Sequence, residues 1–229
     1  MNIIDFENIN VGYDSKIILK DITLKIKEKE HWAILGANGS GKSTLMKLIQ
    51  SEIHPRKTNP YKKEILGKSN YSIFELKKEL GIITNDLHNY FAMNGSFLTG
   101  YIAVLSGHYS SIGVFKHQDF SESQHEKAKE TMKYLEIEHL ANKYVQEMST
   151  GELRKCIVAR ALIHDPKAFI LDEPTVGLDL KSRFDILEYV RDLVKTKNIS
   201  VLWITHLFDE IEEDDNVTLI KTGKIIESG

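Results

Sequence analysis

A glycine-rich loop after an apolar segment is the part of this sequence best suited to chemistry. Residues 36–44 read Gly-Ala-Asn-Gly-Ser-Gly-Lys-Ser-Thr, follow the apolar residues 32–35 and run into a helical pattern. Such a loop turns successive backbone N–H groups inward, where they bind phosphate oxygens, and the following helix start adds partial positive charge. Lys42 is then predicted to contact the outer phosphates of a nucleotide, and Ser43 to hold Mg²⁺. The predicted contacts are Gly36, Asn38, Gly39, Ser40, Gly41, Lys42, Ser43 and Thr44.

Two carboxylates end another apolar segment. Residues 168–171 are Ala-Phe-Ile-Leu, and Asp172 and Glu173 follow. A phosphate-loop protein needs an acid at such a strand end to hold Mg²⁺ through its water shell, which is the role predicted for Asp172. Glu173 is predicted to accept a proton from the attacking water, or to hold that water in line with the terminal phosphate. An isolated Asp-Glu pair more often begins a solvated loop, so this prediction depends on the phosphate loop upstream.

A histidine follows a further apolar segment. Residues 201–205 lead into His206, whose side chain is expected at the same edge of the sheet as Asp172. A lone histidine is usually structural, and the shared edge is the argument for its contact with the terminal phosphate or the water.

A capped helix start is predicted at residues 149–152, which read Ser-Thr-Gly-Glu. Ser149 and Glu152 have the spacing of a capping box, and an amphipathic run follows them. A capped helix start is also an anion site, because its N–H groups and its dipole both favour negative charge. The residues alone leave open whose phosphate would bind there.

The elements that position these residues follow from hydrophobic patterning. Residues 22–27 alternate apolar and polar side chains and predict a strand with one solvent-facing side, with residues 3–11 as its partner. Short apolar runs predict strands buried on both faces at residues 32–35, 80–84, 168–171 and 201–204. Because helical stretches separate these runs, the predicted fold class is α/β with a mostly parallel sheet. Residues 86–146 lack such a run and predict a helical lobe, with a helix over residues 121–140.

Composition narrows the function classes. The 229 residues carry a net charge of −3, so net charge gives no basic footprint for nucleic-acid binding. Cys156 is the single cysteine, which favours a reducing compartment, and we expect the protein in the cytoplasm. The first residues lack the pattern of a signal peptide, and the most apolar stretch, near residues 97–105, is about half the length that spans a bilayer. A membrane role would therefore require another chain.

Together these residues resemble the ATP-binding cassette (ABC) ATPase family, and the resemblance covers nearly the whole chain. Residues 36–44 match its Walker A motif, residues 149–152 its signature motif, residues 169–173 its Walker B motif and residues 176–179 its D-loop. Tyr13 lies where the family places an aromatic that stacks on adenine, and His206 where it places the switch histidine. The resemblance implies a P-loop NTPase core, an N-terminal antiparallel β subdomain and an inserted α-helical subdomain. It implies one domain over residues 1–229, with the core and β part in 1–85 and 155–229 and the helical subdomain in 86–154.

The family mechanism implies a head-to-tail homodimer around two Mg-ATP. Glu173 and His206 would be catalytic, and each ATP would lie between the Walker A loop of one copy and Ser149 and Gly151 of the other. Asp179 is a further expected nucleotide contact. ATP binding is expected to favour closure of the dimer, and hydrolysis to loosen it.

Two departures from the family pattern stand out. Thr150 and Glu152 occupy positions where the signature usually has glycine and glutamine. Asn85 occupies the place of the Q-loop glutamine, and it is expected to contact the nucleotide and Mg²⁺. Asparagine keeps the amide but loses one methylene, which shortens its reach toward Mg²⁺ and toward the membrane partner that this loop serves in transporters.

Two functions fit these observations. The first is an ATPase subunit that powers a separate membrane permease and lies in the cytoplasm at the inner face of the cell membrane. The alternative is a soluble ABC ATPase that acts as a switch on a ribosome, a nucleic acid or a protein partner, and Asn85 favours that alternative. A GTPase or small-molecule kinase is disfavoured, because Tyr144-Val145 follows Asn142-Lys143 where guanine recognition requires Asn-Lys-x-Asp.

Overall fold

The computed structural model describes residues 1–213 and 215–229. Its strands are β1 Asn2–Tyr13, β2 Lys16–Lys27, β3 His31–Leu35, β4 Lys62–Ile65, β5 Leu80–Thr84, β6 Ala168–Asp172, β7 Ser200–Thr205, β8 Asn216–Lys221 and β9 Lys224–Ser228. Its helices are α1 Lys42–Ile49, α2 Ile73–Glu79, α3 Asn85–Asn94, α4 Gly100–Leu105, α5 Glu122–Tyr134, α6 Thr150–Leu162 and α7 Leu180–Lys197.

Two sheets organise these strands. The smaller sheet has the order β2-β1-β4 with antiparallel pairing, and the larger has the order β5-β6-β7-β3-β8-β9. Strand β3 pairs in parallel with β7 and β8, and β9 closes an antiparallel hairpin with β8. The predicted α/β class with a mostly parallel sheet and an N-terminal antiparallel β part is confirmed.

The chain divides into two compact units. The first unit comprises Met1–Lys77, Ile170–Glu173 and Asn198–Gly229, and the second comprises Lys78–Phe169 and Pro174–Lys197. Strand β6 therefore begins in the second unit and ends in the first.

In the first unit, burial follows the predicted patterning. Residues 22–27 of β2 alternate buried and exposed side chains, as a strand with one solvent-facing side should. All six residues of β7 are buried, which agrees with a strand covered on both faces. Helix α1 adds Leu45, Met46, Leu48 and Ile49 to this core.

The second unit is built around α6. This helix contacts α3, α4, α5 and α7, and its buried side chains lie on most of its circumference rather than on one stripe. The helix predicted over residues 121–140 is shorter than expected: α5 starts at a capping box on Ser121 and ends at Tyr134. Glu136 adopts a φ of 56°, the left-handed conformation that ends helices. A separate short 3₁₀ turn, Glu138–Leu140, follows.

No helix within residues 1–213 and 215–229 has both the length and the apolarity needed to cross a bilayer.

Candidate functional site

The phosphate loop connects β3 to α1 in the first unit. Within it, Ser40 N–H donates to the Ala37 carbonyl at 3.1 Å, and Leu45 N–H donates to the Gly41 carbonyl at 2.9 Å. Gly36 allows a close approach of neighbouring atoms, because a Cβ there would lie 2.5 Å from Ser40 Oγ and 2.6 Å from the Ile220 carbonyl. Any larger residue at position 36 would therefore displace the loop.

The turn between β8 and β9 is hydrogen-bonded to this loop. Gly223 N–H donates to the Ser40 carbonyl at 2.8 Å, and the Gly223 carbonyl accepts from Lys20 N–H at 2.7 Å. Gly223 has a φ of 77°, and a Cβ there would collide with the Ile18 carbonyl, so the position requires glycine. The loop is thereby tied to strand β2 through one residue.

Lys42 turns its side chain into the loop. Its ammonium donates to the Gly36 carbonyl at 2.7 Å and to the Ala37 carbonyl at 3.4 Å, and its side chain is only 6% exposed. The same Nζ lies 3.8 Å from Glu173 Oε1. A cation is therefore held at the loop beside a carboxylate.

Glu173 and His206 meet at the ends of β6 and β7. Glu173 N–H donates to the Ile204 carbonyl at 2.8 Å, and its Oε1 lies 3.1 Å from His206 Nδ1. Glu173 has a φ of 49°, a conformation that is uncommon for a residue other than glycine and that concentrates at functional sites. The first unit thus brings together three of the predicted residues, Lys42, Glu173 and His206.

The remaining predicted residues of the first unit border the same elements. Tyr13 ends β1 with a side chain that is 48% exposed, and Asn38, Gly39 and Ser43 are exposed. Thr44 is half-buried in α1, and Asp172, also half-buried, ends β6.

The loop has the properties of a phosphate site. Ser40 Oγ is buried without a hydrogen-bond partner in the structure, so a donor or acceptor there is available to a ligand. No group of three histidine, cysteine or carboxylate side chains in the described part of the chain could hold a metal by itself. The oxygens of Ser43 after the loop and of Asp172 at the end of β6 are the donor type that suits Mg²⁺, which is usually held by one or two protein oxygens together with substrate phosphates and water.

In the second unit, the predicted capping box is confirmed. Ser149 Oγ accepts from Glu152 N–H at 3.2 Å, and Glu152 Oε2 accepts from Ser149 N–H at 2.7 Å. Lys143 Nζ also lies 2.8 Å from Glu152 Oε2, and this bond is the main cause that lowers the pKa of Glu152. Glu152 therefore replaces the family's glutamine with a residue that fixes the start of α6. A Cβ on Gly151 would have only ordinary contacts, with Ser182 at 3.8 Å.

Asp179 has a similar capping role. Its two carboxylate oxygens accept from Ser182 N–H at 3.0 Å and from Ser182 Oγ at 2.6 Å, directly before α7. These bonds lower the pKa of Asp179, with the hydroxyl bond as the largest cause. An ionised Asp179 thus stabilises the first turn of α7.

Asn85 is held by a residue that the sequence analysis missed. Its Oδ1 accepts from Arg154 Nη2 at 3.3 Å, and the same nitrogen lies 3.5 Å from the Val176 carbonyl. Arg154 is fully buried in α6, and this burial lowers its pKa to about 10. The sequence carries no signal for this burial, since Arg154 and Lys155 both stand between Leu153 and Cys156 and only Arg154 is buried. In this arrangement the amide oxygen of Asn85 is engaged by Arg154.

His88 lies one turn further along α3 and is also buried. Burial is the main cause that lowers its pKa to about 4, and the charge of Arg154 adds to the effect. The pair therefore stays singly charged over the physiological range.

The neutral state of His88 predicts a pH-dependent stability. Unfolded His88 would protonate near its ordinary pKa of 6.5, so between about pH 6.5 and 4 the unfolded state binds more protons. Stability contributed by His88 is therefore complete above pH 6.5 and falls by about 3 kcal/mol as the pH is lowered to 4. In urea titrations at pH 4.5, 5.5, 6.5 and 7.5, His88→Phe should show a weaker pH dependence than the unmutated protein.

The control is His139→Phe, because His139 is exposed and should leave the slope unchanged. Equal slopes for the unmutated protein and His88→Phe would contradict the assignment of a neutral His88.

Comparisons with known proteins show the family of this chain. A family model described as ABC transporter matches residues 19–176. An uncharacterized ABC transporter ATP-binding protein of Methanocaldococcus jannaschii is 31% identical over 228 residues, which cover 99% of this chain and 85% of that protein. An uncharacterized ABC transporter ATP-binding protein of Bacillus subtilis, YlmA, is 31% identical over 235 residues, covering 99% and 85%. The structure of cbiO1 from Clostridium perfringens, part of the ABC transporter complex cbiONQ, is 29% identical in sequence and has a TM-score of 0.82. The match covers 100% of this chain and 88% of that one.

Proposed function

Because this chain belongs to the ABC transporter family and is an ABC-type ATPase, we propose that it dimerises around two Mg-ATP and powers a separate membrane permease. The observation that carries the proposal is the meeting of Lys42, Glu173 and His206 beside the phosphate loop.

Each residue of this group has a defined task. The loop N–H groups and Lys42 bind the phosphates, and Lys42 exchanges its bonds to the Gly36 and Ala37 carbonyls for bonds to phosphate oxygens. Glu173 orients the attacking water and accepts its proton, while His206 fixes the carboxylate. Ser43 and Asp172 would hold Mg²⁺, which neutralises developing charge on the phosphates. Tyr13 offers its exposed ring to the adenine.

The start of α6 supports the head-to-tail dimer. Ser149 and Thr150 are exposed there, and the N-terminal end of a 13-residue helix carries partial positive charge. Ser149 and Gly151 of one copy would bind the terminal phosphate held by the loop of the other copy. Asp179, which caps α7, would contact the nucleotide from the D-loop.

The placement of Asn85 refines its proposed role. With its oxygen bound to Arg154, Asn85 presents its NH₂ group rather than an oxygen ligand. The NH₂ group could donate to a phosphate oxygen with the Arg154 bond in place, whereas Mg²⁺ would compete with Arg154 for Oδ1.

We also propose the domain organisation implied by the family. Residues 1–229 would act as one ABC ATPase domain, with the core and β part in 1–85 and 155–229 and the helical subdomain in 86–154. Its place would be the cytoplasm, at the inner face of the cell membrane where the permease lies.

An exposed apolar surface favours a permease as the partner. The α3 patch, defined here as Tyr90, Met93 and Phe97, lies on and just after α3, with Met93 82% and Phe97 89% exposed. Side chains this apolar and this exposed, close together in sequence, are typical of an interaction surface. The patch begins five residues after Asn85, in the segment that serves the membrane partner in transporters of the family.

A double variant tests this surface. Met93→Asp with Phe97→Asp should reduce co-purification of a multi-span membrane protein by at least about tenfold, since buried apolar anchors dominate interface energies. The measurement is affinity purification from native membranes in the presence of ATP, with partners quantified by mass spectrometry. ATP hydrolysis by the isolated protein should be unchanged.

The matched control is Ile226→Asp, at a residue that is 57% exposed on β9 and outside the patch. Retention of the membrane protein by the double variant would refute the role of the patch. Ribosomal or other soluble partners in place of a permease would support the switch alternative. The observation that favours this alternative is the side chain of Asn85, which is one methylene shorter than glutamine and whose oxygen is bound by Arg154.

A further inference from the structure

A cavity of about 680 Å³ in the first unit lies apart from the phosphate loop in sequence and shares no residue with it. Its walls come from the segment after α1, from β4 and from the start of α2, and include Ser51, His54, Lys57, Lys63 and Tyr71. Its volume is in the range of sites for small organic ligands. No acidic side chain is among its described lining residues.

Lys63 is the central group of the cavity wall. Its Nζ donates to Ser51 Oγ at 2.8 Å, and that oxygen shares a 2.8 Å hydrogen bond with Tyr71 Oη. The ammonium also lies 5.7 Å from the centre of the Tyr71 ring, within reach of a cation–π contact. Burial lowers the pKa of Lys63 to about 8, so its charge is poorly compensated by the protein.

The charge of the neighbouring Lys62, on the same strand, is compensated by carboxylates. Its Nζ lies 2.7 Å from Asp5 and 3.2 Å from Glu64, and these bonds raise its pKa. Lys62 also lines the cavity, whereas the contacts of Lys63 among the described residues are with a hydroxyl and an aromatic ring. Of the two lysines in this part of the cavity wall, Lys62 has acidic partners among the described residues and Lys63 does not.

The groups around Lys63 define the chemistry of a ligand. Lys57 and His54 add cationic or hydrogen-bonding groups, and Ser51 and Tyr71 add hydroxyls, which together suit the several oxygens and double charge of a phosphate. Tyr61 and Ile73, which are 38% and 48% exposed, add apolar wall on which a planar ring can pack. We propose that this cavity is a second ligand site, which binds a small organic phosphate that carries a planar ring.

Pyridoxal 5′-phosphate is a suitable probe, because it carries both groups and an aldehyde. The neutral amine of a lysine condenses with the aldehyde to form an imine and releases water. Sodium borohydride then delivers hydride to the imine carbon and leaves a stable secondary amine, whose position peptide mass spectrometry identifies. At pH 8, Lys63 should be labelled at a probe concentration at least about tenfold lower than the exposed Lys129, because Lys57 and the hydroxyls of Ser51 and Tyr71 hold the phosphate while the neutral form of Lys63 attacks the aldehyde.

Two comparisons isolate the phosphate contribution. Pyridoxal, which lacks the phosphate, should label Lys63 about tenfold less than pyridoxal 5′-phosphate does. Phenyl phosphate should protect Lys63, whereas phenol should not. These measurements use the unmutated protein, so they do not depend on the folding of a variant.

Variants locate the site. Ser51→Ala with Tyr71→Phe should weaken labelling of Lys63, whereas Lys129→Met should not affect it. Lys42→Ala, in the phosphate loop, should also leave Lys63 labelling unchanged, which separates this site from the nucleotide site. Labelling of Lys63 no stronger than that of Lys129, or equal labelling by pyridoxal and its phosphate, would overturn the proposal. Protection by ATP at nucleotide-site concentrations would do the same.

Discussion

Glu173→Gln should reduce ATP turnover by at least about 100-fold while leaving ATP binding intact. The carboxylate lies 3.8 Å from Lys42 Nζ and 3.1 Å from His206 Nδ1, so it is placed where a water could be oriented toward a bound phosphate. Glutamine has nearly the same shape but cannot accept the proton. Phosphate release gives the rate, and equilibrium binding of a fluorescent ATP analogue gives the affinity.

The same variant should accumulate as a dimer. If ATP completes the interface and hydrolysis loosens it, a protein that binds without hydrolysing will remain closed, as size-exclusion chromatography with ATP can show. Glu126→Gln, at an exposed position of α5, is the control and should behave as the unmutated protein. Turnover within twofold of normal would remove Glu173 from its proposed role, and a monomer in ATP would contradict the dimer.

Lys42→Ala should weaken ATP binding by roughly 10-fold to 150-fold, the range expected for loss of charged hydrogen bonds. In the structure the ammonium is bound by the Gly36 and Ala37 carbonyls, which hold it at the loop in advance of the nucleotide. Its removal also leaves Glu173 without the nearby cation, which disfavours phosphate charge beside the carboxylate. Calorimetric titration with ATP measures the loss.

Lys47→Ala is a matched control, because Lys47 is exposed on the same helix α1. A thermal melt of each variant separates loss of the ligand contact from loss of the loop itself, since Lys42 also bonds the loop carbonyls. Unchanged affinity in a folded Lys42→Ala protein would exclude the proposed phosphate contact.

The sequence predicted best where burial alone decides the structure. Apolar runs at residues 32–35, 80–84 and 201–204 correspond to β3, β5 and β7, because strands covered on both faces have few polar positions. The helix end at residue 134 was missed, since the left-handed turn at Glu136 is taken by a residue with no special preference for it. Local pattern does not specify such a turn.

For the candidate site, the sequence indicated which residues to consider better than it indicated which residues would contact them. The order after apolar strands made the phosphate loop, Asp172, Glu173 and His206 candidates, and the structure confirms the capping role that the spacing to Ser149 predicts for Glu152. Arg154 was missed because a buried arginine resembles a surface arginine in sequence, and its partners Asn85 and Val176 are distant along the chain. The cavity around Lys63 was missed for the same reason, since its walls come from separate segments of the first unit.

The hydrogen bond between Gly223 and Ser40 has a consequence for folding during translation. During synthesis the phosphate loop leaves the ribosome long before Gly223 does, and until then the Ser40 carbonyl and strand β2 lack the residue that joins them. In a nascent chain that ends before the β8–β9 turn, the phosphate loop therefore lacks the hydrogen bonds through Gly223. We expect such ribosome-bound intermediates to bind ATP weakly, so that nucleotide can stabilise the cassette only after nearly all of this sequence has been translated.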